Sequence, residues 1–209
     1  MIGIIDYNAG NITSVERALK SLNIDYIRSK NPEDLKNCEK LLFPGVGDAA
    51  YAMAQLKETG FDIFIKQWAE SGKPLFGICL GSQIIFEKSE EGNVNCLGLI
   101  KGTIKHFYTI QPELKDKELK VPHMGWNNLE IKNGGSPLLK DIKDNADFYF
   151  VHSFVICPEE TSVIKAEADY GIKVPSLIQQ GNIFASQFHP EKSGTAGLKM
   201  LKNFCEMYF

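Results

Sequence analysis

The stretch Pro74-Leu75-Phe76-Gly77-Ile78-Cys79-Leu80-Gly81 decides how this chain is read. An apolar run meets a cysteine that has a glycine two residues before it and another two residues after it. That spacing is the cysteine form of the sharp strand-to-helix turn that carries a nucleophile at its tip. The reason is steric. So tight a turn pushes the nucleophile into an unfavourable backbone conformation and brings the positions at minus two and plus two nearly into contact, where a side chain would clash. Ser82 to Lys88 then reads as the helix that follows. A buried structural cysteine beside two turn glycines leaves the same pattern, so the surroundings must decide between the two readings.

Upstream, strand and helix alternate. Met1 to Tyr7 is a short β-rich run, and Ile12, Val15, Ala18, Leu19 and Leu22 fall at helical spacing after the polar turn Asn8-Ala9-Gly10-Asn11. Ile24 to Ile27 reads as a second strand, and a short helix follows Asn31-Pro32. Lys40 to Phe43 is a third strand ending at Pro44-Gly45-Val46-Gly47. Asp48 can cap a helix over Ala49 to Lys57 that Gly60 stops, and Phe61 to Glu70 is another helix. This alternation predicts an α/β fold, an open and mostly parallel sheet with helices on both faces. Ligands bind such sheets at the carboxyl ends of the strands. Both glycine-rich turns, Pro44 to Gly47 and the one at Cys79, lie there.

Downstream of Cys96 the texture changes. Leu99 to Phe107, Leu129 to Ile131, Phe148 to Ile156, Val163 to Ala168, Lys173 to Gln179 and Ile183 to Phe188 are strand-like and closely spaced. They predict more antiparallel β-structure in the C-terminal half. An amphipathic helix over Thr195 to Tyr208 closes the chain, burying Leu198, Leu201, Phe204 and Cys205. With no repeat and no linker, residues 1–209 are expected to form one domain.

Composition narrows the function classes. A formal net charge of −3 with mixed Lys and Glu argues against a nucleic-acid surface. No apolar run approaches the ~18 residues of a membrane helix, and the start Met1-Ile2-Gly3-Ile4-Ile5-Asp6 lacks a basic secretory leader. The five cysteines are scattered and odd in number, as expected of a cytoplasmic protein without a disulfide framework or zinc site. His106, His123 and His152 are not metal-spaced, so neither a metal nor another cofactor is expected.

The chemistry converges on Gln187-Phe188-His189-Pro190-Glu191. Pro190 holds the segment extended, so His189 and Glu191, two apart, can point the same way. A thiol nucleophile needs a base beside it and an acid to orient that base. Cys79, His189 and Glu191 are therefore candidate catalytic residues, if the fold brings them together. Taken singly, His189 also suits a packed loop-end histidine and Glu191 a surface carboxylate. A helix N-terminus at Cys79 would favour its thiolate. The Leu80 N–H, with a second donor from the Val46-Gly47 loop, would face the oxyanion of a tetrahedral intermediate. The reaction class implied is acyl transfer through a thioester.

These residues and several longer motifs resemble the class I glutamine amidotransferases and, within them, the glutaminase subunits of imidazole glycerol phosphate synthase from histidine biosynthesis. The motifs are Ile5 to Asn11, Pro44 to Gly47, Gly77 to Gly81 with Gln83, Pro122-His123-Met124-Gly125-Trp126-Asn127, Tyr149 to Phe154, and Gln187 to Gly194. The resemblance implies that Cys79 attacks the side-chain amide of glutamine, with His189 shuttling protons and Glu191 orienting it, to release ammonia and glutamate. It further implies that Gln83, Ser153 and Phe154 contact the glutamine head. A (β/α)8-barrel cyclase subunit would take the ammonia to make imidazole glycerol phosphate and an aminoimidazole carboxamide ribotide. His123, Met124, Gly125, Trp126 and Asn127 suit docking to that partner, since Trp and Met are common interface anchors. Trp126 also suits a core position, and His152 a satisfied structural histidine. Ser82 stands where the family usually has methionine, and His106-Phe107 where Arg-Phe is common. Two other readings keep the motifs: a paralogous glutaminase feeding a sugar-modifying amidotransferase, and a non-catalytic stabilising subunit. A papain-type peptidase lacks its Gly-Ser-Cys-Trp context here. A stress-protein relative with the same elbow usually has histidine where Leu80 stands.

Overall fold

The computed structural model describes residues 1–115 and 119–207. Its first half alternates β1 (Ile2–Ile5), α1 (Ile12–Ser21), β2 (Tyr26–Ser29), α2 (Pro32–Leu35), β3 (Lys40–Gly45), α3 (Ala49–Thr59), α4 (Phe61–Glu70) and β4 (Leu75–Cys79). Local chemistry sets several boundaries. The Asn31 side chain accepts the Glu33 N–H at the start of α2, and Asp48 accepts the Tyr51 N–H at 2.8 Å to cap α3. Gly60, with φ +75°, ends α3 in the left-handed region and opens α4.

The rest of the chain adds α5 (Leu80–Gln83), β5 (Lys88–Ser89), β6 (Val94–Asn95), β7 (Gly102–His106), α6 (Phe107–Ile110), β8 (His123–Asn128) and β9 (Glu130–Ile131). It continues with β10 (Asp147–His152), β11 (Phe154–Pro158), β12 (Ile164–Asp169), β13 (Lys173–Gln180), β14 (Ile183–Ser186) and α7 (Gly194–Glu206).

One eight-stranded sheet runs in the order β2-β1-β3-β4-β14-β13-β12-β9. Its strands are parallel from β2 through β14 and antiparallel from there to β9. Residues alternate between its faces with period two. Leu41 and Phe43 of β3 pack with Met53, Leu56, Phe64 and Trp68 of α3 and α4. Leu42 between them packs on the other face, with Val15 and Leu19 of α1 and Leu201 and Phe204 of α7. Burial on both faces explains why the inner parallel strands β1, β3 and β4 read as nearly unbroken apolar runs. Two smaller sheets, β8 with β10 and β11-β7-β5-β6, lie outside this layer.

The α/β reading with a parallel first half and antiparallel additions holds, but several elements differ from expectation. The second strand begins at Tyr26 rather than Ile24, because the Ile24 N–H still bonds to the Leu19 carbonyl that closes α1. The helix read over Ser82 to Lys88 is one turn, Leu80–Gln83. Ile84, Ile85 and Phe86 are all buried, and their carbonyls accept the N–H groups of Leu97, Leu99 and Gly98, so the segment belongs to a loop pair. Phe148 to Ile156 is two strands in two sheets: β10 pairs with β8, while β11 pairs with β7. Ile183–Ser186 pairs antiparallel with β13 as expected, and its other edge pairs parallel with β4, so this strand joins the two halves of the sheet. The Pro122 to Asn127 motif forms most of a strand, β8, that alternation did not reveal. In α7, Leu201 and Phe204 are fully buried, Leu198 and Cys205 only partly, and Tyr208 lies outside the described residues.

Candidate active site

Cys79 ends β4 with φ +53° and ψ −112°, a conformation most non-glycine residues avoid. Its flanking glycines are required, though not for one reason. A Cβ on Gly77 would lie 2.7 Å from the carbonyl oxygen of Gly81, so this position is closed by the turn itself. A Cβ on Gly81 would run into the carbonyl oxygen of Phe43 in β3. The crowding at plus two thus comes from the neighbouring strand. Gly45 completes the approach: a Cβ there would lie 2.5 Å from the Tyr7 hydroxyl and 2.7 Å from the Gly81 nitrogen. Three glycines let the ends of β3 and β4 meet.

His189 follows β14, which lies beside β4. Its N–H donates to the Tyr149 carbonyl at 2.9 Å, and the Ser193 hydroxyl donates to the His189 carbonyl at 2.5 Å while accepting the Tyr149 N–H at 2.9 Å. Gly197 of α7 admits the turn, since a Cβ there would meet the Pro190 carbonyl. Within this frame His189 Nδ1 lies 2.7 Å from Glu191 Oε1, both side chains 2% exposed. Nδ1 is taken, so Nε2, which has no hydrogen-bond partner among the described residues, is the nitrogen left for the thiol. Burial alone would lower the imidazole pKa. Negative charge on the Cys79 sulfur, with the Glu191 carboxylate, outweighs it and pushes it up to about 10. The structure thus brings the three predicted residues together, though by a 3-10 turn over Pro190–Lys192 that folds Glu191 back onto the imidazole rather than by the extended segment expected from Pro190.

Cys79, Leu80 and His189 line a cavity of about 330 Å³ whose other walls are Val46-Gly47, Gln83 and Val151 to Phe154. Every residue predicted for the oxyanion and glutamine contacts therefore lines one space. The Gln83 amide NH2 is already engaged, donating to the Phe154 carbonyl at 3.1 Å and to Gln187 Oε1 at 2.9 Å. The Val46 N–H is turned away as well and donates to the Ala9 carbonyl at 3.2 Å. A larger cavity of about 930 Å³ lies at the amino ends of the strands, beside Lys40, Pro74 and Asn182, and contains none of these groups. The candidate residues lie at the carboxyl ends of the parallel strands, where open α/β sheets bind ligands. Among the described residues no cluster of three or more His, Cys, Asp or Glu side chains is placed to hold a metal ion, and no helix is long and apolar enough to cross a membrane.

Sequence reasoning missed Ser193 as a brace of the His189 loop and Gln187 as the partner of Gln83, because both act through bonds between distant segments. It also missed Glu91, which lines the cavity and accepts the Ala49 N–H at 2.9 Å. The predicted docking motif divides by strand alternation: Met124 and Trp126 point outward, 60% and 59% exposed, while His123 is buried at 2%. His123 faces inward and cannot itself form part of an exposed docking surface.

Residues 3–207 match the family model described as Glutamine amidotransferase class-I. The chain is 44% identical over 208 residues to the imidazole glycerol phosphate synthase subunit HisH of Halalkalibacterium halodurans, covering 99% of this chain and 96% of the relative. It is 46% identical over 211 residues to the subunit of the same name from Methanocaldococcus jannaschii, covering 99% and 100%. Two solved structures share the fold: one described as a glutamine amidotransferase, at TM-score 0.74 and 21% identity over 98% of this chain and 97% of the other, and PurLQS from Thermotoga maritima, at TM-score 0.69 and 19% identity over 97% and 96%. Sequence match along nearly the whole chain and a cysteine held in a strained turn lead to the same conclusion: the chain belongs to the class-I glutamine amidotransferase family.

Proposed function

We propose that the chain is the glutaminase subunit of an imidazole glycerol phosphate synthase, and that Cys79, His189 and Glu191 carry out the hydrolysis. His189 holds the thiol proton on Nε2 as an imidazolium paired with Glu191, and the Cys79 sulfur adds to the amide carbon of glutamine. The oxyanion forms against the Leu80 N–H and a donor from Val46-Gly47. Collapse expels ammonia, which leaves with the proton from His189, and forms a thioester. Water, deprotonated by the same imidazole, then adds to the thioester and releases glutamate and the thiol. The observation that carries this reading is the buried His189–Glu191 pair at 2.7 Å beside a cysteine at φ +53°. Gln83, Ser153 and Phe154 are assigned to the amino-acid head of the substrate because they line the same cavity.

The ammonia acceptor is assigned to a (β/α)8-barrel cyclase partner. Supporting this, the relatives are named as subunits of a synthase, and the chain exposes Met124 and Trp126 on β8. The test is steady-state glutamate release from glutamine, with and without that cyclase and its nucleotide ligand. Wild-type chain that releases no glutamate under either condition would end the proposal.

A further inference from the structure

A chain of hydrogen bonds links the exposed strand β8 to the wall of the cavity, and its direction can be worked out. The Asn127 side chain lies 2.8 Å from the Asp169 carbonyl, an acceptor, so its amide nitrogen faces that way. The same nitrogen lies 3.3 Å from His123 Nε2. His123 Nδ1 lies 3.1 Å from His152 Nε2, and His152 Nδ1 lies 2.7 Å from the Phe154 carbonyl. A carbonyl can only accept, so His152 carries its proton on Nδ1. Its Nε2 is then the acceptor for a proton on His123 Nδ1, and His123 Nε2 accepts from Asn127. All donors and acceptors are matched with both rings neutral.

The surroundings hold this arrangement. The His123 ring is stacked between Phe150 and Tyr170, with centroids 4.5 Å and 3.9 Å away and interplanar angles of 17° and 18°. Burial pushes the His123 pKa down to about 4. His152, buried and near His123 and His189, is pushed down to about 3 despite its bond to Phe154. At the far end, the Phe154 carbonyl also accepts from Gln83.

We propose that His123 and His152 form a directional relay that positions the Ser153-Phe154 wall and Gln83 for glutamine and couples that wall to β8. Neither histidine is a catalytic residue; both are positioning residues. The consequence for glutamine rests on the glutaminase reading above, whereas the relay itself does not. Met124 and Trp126 share a strand with His123 and Asn127, so a partner that shifts β8 shifts the relay with it.

Two measurements test the relay. Long-range 1H–15N correlation spectra of the full chain with labelled histidine, at pH 7, report each ring's tautomer without requiring activity. Both His123 and His152 are expected as the neutral Nδ1–H form, and an Nε2–H or protonated ring at either position overturns the proposal. In glutaminase assays of the complex with the cyclase, His123→Leu is expected to raise KM for glutamine at least tenfold while kcat stays within threefold. Inactivation by iodoacetamide is expected to be unchanged. His123→Asn, whose amide can donate to His152 from the place of Nδ1, is expected to bring KM back within threefold of wild type. An unchanged KM in the leucine variant, or equal damage in both variants, overturns the positioning role. Nδ1–H tautomers in a wild-type complex that releases no glutamate would leave the relay standing and remove the glutaminase reading instead.

Discussion

The backbone N–H of Val46 donates to the carbonyl oxygen of Ala9 across 3.2 Å, although Val46 lines the cavity. A donor bonded elsewhere cannot stabilise an oxyanion, and one such donor is worth roughly 3 kcal/mol in the transition state. The isolated chain is therefore expected to be a slow glutaminase. Adding the cyclase and its ligand is expected to raise kcat by about 100-fold or more, the loss associated with one missing donor. Glutamate release measured with and without the partner checks this, and equal rates would show that the Val46 bond does not limit turnover.

Glu191→Gln keeps the shape of the side chain and removes its charge. The Nδ1 contact at 2.7 Å then no longer supports an imidazolium, and a comparable loss of an orienting carboxylate costs two or more orders of magnitude in kcat, about 10²-fold to 10⁴-fold. Full kinetics on the complex should show the fall in kcat with KM little changed.

How much of this was legible beforehand follows from how local each cause is. The turn at Cys79 could be read because its steric rule lies within five residues, although the clash at Gly81 comes from Phe43 and could not be read that way. Asp48 and Gly60 announced α3 because capping is a property of neighbours. The break at Ser153 was invisible, since β10 and β11 differ in their pairing partners, β8 and β7, rather than in composition. His123 was read as part of a docking motif because Met124 and Trp126, residue types common as interface anchors, follow it in the same segment. Only the strand's pairing reveals which face each residue takes. Ser193 ties the nearby His189 carbonyl to the Tyr149 backbone, a distant contact that no sequence spacing encodes.

Glycine substitutions separate the two steric causes at the turn. Gly81→Ala drives a methyl group into the Phe43 carbonyl, which cannot move without disturbing β3, and is expected to cost more than about 3 kcal/mol. Denaturant unfolding of the variant against wild type measures the loss. A midpoint equal to wild type would mean that β3 and the turn do not approach as described.

Stability should fall at both ends of the pH scale for different reasons. His123 and His152 titrate at about 4 and about 3 in the folded chain, below the ~6.5 of an unfolded histidine, so the unfolded chain takes up protons first. Their contribution is present above ~6.5 and is lost as pH falls through these values. His189 has the opposite sign: raised to about 10 by Cys79 and Glu191 against the effect of burial, it contributes fully below ~6.5 and loses its contribution as pH rises through about 10. Tm against pH should show an acid limb that His123→Asn flattens and an alkaline limb that Glu191→Gln flattens.

Trp126→Ala should separate docking from folding. The side chain is 59% exposed, so the monomer is expected to keep its stability within about 0.5 kcal/mol, whereas an interface anchor is worth about 2 kcal/mol in binding. Titration calorimetry with the cyclase, beside thermal unfolding of the free subunit, gives both numbers. Unchanged affinity would place the interface elsewhere.

The central claim is that Cys79, strained at the end of β4, is the nucleophile that opens glutamine. Glutamate release by the Cys79→Ala subunit in complex with the cyclase and its ligand tests it most directly. Release no faster than the uncatalysed background is expected, in a complex that still assembles. Release at the wild-type rate would contradict it.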